Sequence, residues 1–216
     1  MATLFVLAAG LSTPSTTRQV ADTISAAVGA AARDRGTELD IRTVELRELA
    51  TDLARATTTG TSTPALDEVK RQLSAADGLV AVTPVFKASY SGLFKMFFDV
   101  LDSDALNGMP AIIGATAGTA RHSLVTEHAL RPLLTFTRAM VVPTSLFAAT
   151  GDFGGPGGAA FAQRVDRAAG ELADLMVGGS GPAPAAPGTS RPRKTGLDVE
   201  EDFVPFGQLL HGHTGA

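Results

Sequence analysis

The chain has 216 residues, 44% of them hydrophobic and 19% charged, with a formal net charge of −4 and an isoelectric point near 5.5. That composition supplies a large buried core and excludes global disorder, while the acidic balance argues against a nucleic-acid binder. The absence of cysteine rules out disulfides, thiolate catalysis and Cys-ligated metal centres, the four histidines show no metal-ligand spacing, and no apolar run approaches the roughly 20 residues of a membrane span.

Residues 4–9 form a continuous apolar run ending at Gly10, as in a strand buried on both faces. The stretch lacks a basic start, which points away from a signal peptide and towards the cytoplasm. Residues 17–35 carry Val20, Ile24, Ala27, Val28 and Ala31 at helical spacing, with Gly36 where a C-cap belongs. Residues 39–46 read as a second, more polar strand, and residues 46–63 as a loop. Thr63-Pro64 opens a helix by the N-cap and N1 preferences. Residues 78–82 are another buried strand, and Leu93, Phe94, Phe97, Phe98 and Leu101 mark a helix with one strongly apolar face. Strands follow at residues 111–114 and 140–142, with helices over residues 121–138 and 159–177.

Strand–helix alternation of this kind specifies an α/β fold with an open parallel sheet covered on both faces. Right-handed crossovers and five strands favour the order 2-1-3-4-5, with ligands at the carboxyl ends of the first, third and fourth strands. Residues 1–178 read as one domain, residues 179–196 as a Gly/Pro-rich linker, and residues 197–216 as a tail. Phe203, Val204, Phe206, Leu209 and Leu210 make that tail apolar enough to expect docking on a neighbouring subunit.

Three loops therefore hold the function. The first, Gly10-Leu11-Ser12-Thr13-Pro14-Ser15-Thr16-Thr17-Arg18, is rich in hydroxyls and leads straight into a helix, whose N-terminal amides and partial positive charge suit a phosphate. Ser12, Ser15, Thr16 and Thr17 can add hydrogen bonds. The glycines and lysine of the common nucleotide loops are absent; an N-cap with a Ser/Thr turn explains the same residues. The second loop is Thr83-Pro84-Val85-Phe86-Lys87-Ala88-Ser89-Tyr90-Ser91-Gly92. Pro84 stiffens it so that backbone can face a planar ring, Phe86 and Tyr90 offer apolar area, and Lys87 a positive charge. The third, Thr116-Ala117-Gly118-Thr119, is small enough for close backbone approach. No triad, carboxylate pair or metal cluster is evident, so no catalytic side chain is assigned.

The run TPVFKASYSGLFKMFFD resembles the ring loop and following helix of the NADPH-dependent FMN reductases, which are flavodoxin-like enzymes serving two-component monooxygenases such as the alkanesulfonate systems. The resemblance runs from Leu4 to about Ala148 and includes the hydroxyl-rich loop, the Thr116 loop and Ala129-Leu130-Arg131-Pro132-Leu133-Leu134. It implies a flavodoxin-like three-layer sandwich, FMN and NADPH as cofactors, and hydride transfer to FMN. It also implies delivery of reduced FMN to a partner monooxygenase; the apolar face of Leu93 to Leu101, larger than one sheet face covers, favours a homodimer or homotetramer. Ser12, Ser15, Thr16, Thr17, Arg18, Pro84, Val85, Phe86, Lys87, Tyr90, Thr116, Ala117, Gly118 and Thr119 are then the cofactor-binding residues, with Lys87 near the flavin N1–C2=O edge. The chain departs from the relatives in two places. Their phosphate loop is longer, with an arginine where Thr16 stands, so that Arg18 either reaches a phosphate or is an ordinary surface arginine. Their bulged interface helix carries a tyrosine where this chain has His128, which sets the expectation of His128 at a subunit contact. A quinone or azo reductase with resident FMN, and a flavodoxin-type electron carrier, are the competing readings.

Overall fold

The computed structural model describes residues 1–153, 156–177 and 193. The expected boundary at residue 178, most of the linker and the whole tail with Phe203 and Leu210 lie outside the described residues. In chain order come β1 (Ala2–Ala8), α1 (Thr16–Arg33), β2 (Leu39–Glu45), α2 (Ala50–Thr59), α3 (Pro64–Ser74), β3 (Gly78–Phe86), β4 (Ser89–Tyr90), α4 (Gly92–Asp99), β5 (Pro110–Ala117), α5 (Arg131–Phe136), β6 (Met140–Val141), β7 (Leu146–Ala149) and α6 (Pro156–Val177).

The parallel sheet runs β2-β1-β3-β5, with β6 and β7 on the far edge of β5. Successive side chains of β1 and β3 alternate between two apolar layers. Phe5, Leu7, Leu79 and Ala81 face Leu53, Leu66, Leu73, Phe94 and Phe97 of α2, α3 and α4. Leu4, Val6, Val80 and Val82 face Val20, Ile24 and Val28 of α1 and Val165, Ala169 and Leu172 of α6. This is the flavodoxin-like three-layer α/β sandwich, and the direction in which strands are added reverses between the parallel strands β1 and β3, which opens a cleft at their carboxyl ends.

The fifth strand is in two pieces rather than one. Val142 N–H still reaches Ala111 O at 2.9 Å, but Pro143 has no proton to give, and the chain leaves the ladder until Leu146. The sheet also gains the two-residue β4, hairpinned antiparallel onto the end of β3. Residues 46–63 are not a loop: a 3₁₀ turn (Leu46–Leu49) leads into α2, which ends at Gly60 in the left-handed conformation (φ 70°). Leu46, Leu49, Leu53 and Ala56 are the buried positions there, a helical spacing hidden in a threonine-rich stretch.

The helix expected over residues 121–138 is broken into a 3₁₀ turn (Ala120–His122), a π turn (Thr126–Leu130) and α5. Arg131 N–H bonds Thr126 O, and Pro132 leaves His128 O without its α-helical donor. α1 ends as its sequence suggests. Gly36 (φ 77°) sends its N–H to Arg33 O at 2.8 Å and Thr37 to Ala32 O at 3.0 Å, a Schellman closure. At the amino end of the strands, Arg193 donates to the carbonyl oxygens of Ala76 and Asn107. No helix among the described residues is long and apolar enough to cross a membrane.

Candidate functional site

A cavity of about 400 Å³ lies where β1, β3 and β5 end, within the range typical of small-ligand sites. The first loop supplies Gly10, Leu11, Ser12, Thr16 and Thr17 to its lining. Ser15 stands behind them, buried, and caps α1: its hydroxyl accepts from Arg18 N–H at 3.2 Å. The first backbone bond of the helix is Gln19 N–H to Ser15 O at 3.1 Å. The amides of Thr16 and Thr17 therefore precede the ladder and are free to donate. Buried Thr17 fixes this loop to the third one, its hydroxyl 2.8 Å from that of Thr116.

Arg18 turns away from the cleft. It bonds Asp22 at 2.8 Å and Glu45 at 2.9 Å, and these partners, chiefly the Asp22 hydrogen bond, raise its pKa further. A different arginine serves the loop. Arg47, from the 3₁₀ turn after β2, donates to Ser12 O at 3.1 Å and to the Thr13 hydroxyl, and is itself held by Glu45 at 3.0 Å. Glu45 thus sits between two guanidiniums and ties Arg47 to the loop.

The second loop is held by Thr83. Its hydroxyl accepts from Ser91 N–H at 3.0 Å, while the Ser91 hydroxyl caps α4 through Phe94 N–H at 3.2 Å. Pro84, Val85 and Phe86 line the cavity, with Phe86 46% exposed. Lys87 and Ala88 make the turn, both left-handed (φ 51° and 66°), and Lys87 is exposed outside the lining. Tyr90 packs half-buried on Phe94, ring centroids 5.9 Å apart. The third loop contributes Thr116, Ala117 and Gly118 to the wall, and Thr150 after β7 closes it; Thr119 lies beyond, before the next 3₁₀ turn.

Of the expected site residues, Ser12, Thr16, Thr17, Pro84, Val85, Phe86, Thr116, Ala117 and Gly118 share one cavity. Ser15, Arg18, Lys87, Tyr90 and Thr119 surround it without lining it. Leu11, Arg47 and Thr150 are additions. Arg47 and Thr150 belong to elements remote in sequence, and no local pattern marks either one. No lining residue is ionisable, so the cleft is built to bind and orient rather than to move protons.

A family model for NADPH-dependent FMN reductases matches residues 2–154. The chain belongs to that family. The FMN reductase (NADPH) of Pseudomonas aeruginosa is 37% identical over 115 residues, covering 53% of this chain and 62% of that protein. The NADH-dependent FMN reductase SfnE of Pseudomonas putida is 40% identical over 105 residues, or 49% of this chain and 56% of the relative. The chain spans between 56% and 64% of the length of these curated relatives. A solved oxidoreductase from Corynebacterium diphtheriae superposes with a TM-score of 0.81 at 64% identity, over 83% of this chain and 99% of that one. An apo NADH:FMN oxidoreductase, EMOB, gives a TM-score of 0.70 at 25% identity, over 92% and 97%.

For this member of the NADPH-dependent FMN reductase family, Arg47 gives a direct test of the first loop. Arg47→Met keeps the apolar stem and removes the donors to Ser12 and Thr13. FMN affinity, followed by fluorescence quenching, should fall about fivefold, the scale of one lost charge-assisted contact acting through a partly exposed loop. Arg18→Met, whose partners lie away from the cleft, should change it far less.

Proposed function

We propose that the protein is an NAD(P)H-dependent FMN reductase that binds FMN as a dissociable substrate and releases it reduced. One observation carries this reading: a single cleft joins helix-terminal amides and hydroxyls at one end to a hairpin wall of Pro84, Val85 and Phe86 at the other. The residues fit the group. Thr16 and Thr17 amides with the Ser12 and Thr16 hydroxyls would hold the phosphate, and Pro84 to Phe86 with Ala117 and Gly118 would face the ring. When both are bound, a reduced nicotinamide passes hydride to the flavin, which gains the two electrons the nicotinamide loses. The chain's own part is to seat, orient and shield.

Its grip is moderate. The phosphate seat has neutral donors, and Phe86 is the one aromatic lining the cavity; a stacked aromatic adds only about 0.5–1.5 kcal/mol beyond its buried area. A loosely held product suits delivery of reduced FMN to a partner monooxygenase in the cytoplasm. Exposed Phe136 (83%) and Met140 (49%) support a homo-oligomeric contact at the β6 edge; His128 stands exposed on the π turn.

The purified protein should therefore be nearly colourless after dialysis, bind FMN more tightly than riboflavin, and oxidise NADPH only with added flavin. A yellow protein that keeps stoichiometric FMN and reduces quinones without added flavin would establish the resident-cofactor reductase instead.

A further inference from the structure

The helical layer over Phe5 and Leu79 holds a cavity of its own. It lies between the end of α2, α3 and the end of α4, has a volume of about 410 Å³, and counts Ala56, Thr57, Ser62, Lys70, Asp99 and Val100 in its lining. None of these residues lines the cleft.

The donors of this cavity have no partners. Lys70 is only 6% exposed, yet among the described residues its ammonium makes neither a hydrogen bond nor an ion pair. Asp67, one turn earlier in α3, attracts it without reaching ion-pair distance, and burial still holds the Lys70 pKa below its ordinary 10.5. The Ser62 hydroxyl is likewise buried without a hydrogen-bond partner among the described residues. An ammonium and a hydroxyl left unpaired in this way each carry a desolvation cost that a bound anionic group removes.

Acceptors border the same space. Thr57 lies in the last turn of α2, and the α-helical donor for its carbonyl would be Thr61 N–H, which goes instead to the Thr59 hydroxyl at 3.2 Å. Asp99 ends α4; Lys95 holds one of its oxygens, and a carboxylate keeps lone pairs for further donors. Two helix carboxyl ends add partial negative charge. A simple anion would meet that field unfavourably. A small molecule with both a carboxylate and an ammonium matches it, and Ala56 and Val100 offer contact to an aliphatic side chain.

We propose that this cavity binds a free aliphatic α-amino acid, with Lys70 and Ser62 donating to its carboxylate and with Thr57 O and Asp99 accepting from its ammonium. The site is independent of the flavin reading of the cleft.

Calorimetric titration of the full chain with L-valine tests it without turnover. L-Valine should bind saturably. The same molecule without its ammonium (3-methylbutanoate) or without its carboxylate (2-methylpropylamine) should bind about tenfold more weakly. Lys70→Met should weaken L-valine about tenfold and leave the thermal midpoint at or above that of the wild type, since methionine fills a similar volume without a buried charge. Ser62→Ala, which removes one hydroxyl, gives an independent reading and should weaken it about fivefold. Absence of saturable L-valine binding, equal affinity for 3-methylbutanoate, or an affinity indifferent to both Lys70→Met and Ser62→Ala would overturn the proposal.

Discussion

Gly10→Ala should cost at least about tenfold in FMN affinity and lower stability by about 1–3 kcal/mol, the usual range for overpacking. A methyl group on Gly10 would stand 1.9 Å from Ser15 Oγ and 3.1 Å from the Cβ atoms of Ser15 and Thr17. None of these atoms yields easily. Ser15 is buried and caps α1 through Arg18 N–H, a contact worth about 1 kcal/mol, and Thr17 is buried and bonded to Thr116. Relief of the clash moves the first turn of α1, and with it the amides of Thr16 and Thr17. Gly92→Ala is the matched control, since its methyl group meets nothing within 4 Å. Thermal unfolding and fluorescence titration of both variants decide the matter. Lowered stability with wild-type FMN affinity in Gly10→Ala would mean that the amides are not the phosphate seat.

Arg131→Met should lower stability by about 2–3 kcal/mol, read as a shift in urea midpoint. The guanidinium bonds both oxygens of Glu127 and donates to the carbonyls of Val142 at 3.0 Å and Pro143 at 3.1 Å. These carbonyls lie where the fifth strand leaves the sheet, so one side chain ties the π turn to that break. The same pair gives a pH dependence. The hydrogen bond from Arg131 is the main cause holding the Glu127 carboxyl below its ordinary value of 4.5. A carboxyl depressed in the folded state stabilises above its unfolded pKa, and that contribution disappears as pH falls through 4.5 and below. Glu127→Gln should therefore flatten the acid limb of the stability profile while retaining the carbonyl contacts of Arg131. An acid limb unchanged in that variant would assign the loss to other carboxylates.

Strand order and layers were legible because a parallel sheet leaves continuous apolar runs, such as residues 4–9 and 78–82, and doubly wound topology fixes where they meet. The three site loops followed from that order. Helix α2 was obscured by Thr57, Thr58, Thr59, Thr61 and Thr63, whose turn-like composition outweighed the Leu46, Leu49, Leu53 and Ala56 period. The break in the last strand needed Pro143 to be read as a ladder terminator. Arg18 closes the first loop in sequence, yet Asp22 one helical turn on and Glu45 at the end of β2 capture it. Arg47 reaches the same loop from the next crossover. Proximity along the chain identifies a candidate charge, but competition among tertiary partners decides where it points.

The hydroxyl contact between Thr17 and Thr116 joins residues 99 positions apart. A chain emerging from the ribosome forms α1 early, yet the loop that opens it has nothing to brace it until β5 has emerged and paired with β3. Partly synthesised chains thus have no finished cleft, and the first loop takes its final shape only on a sheet that is already assembled.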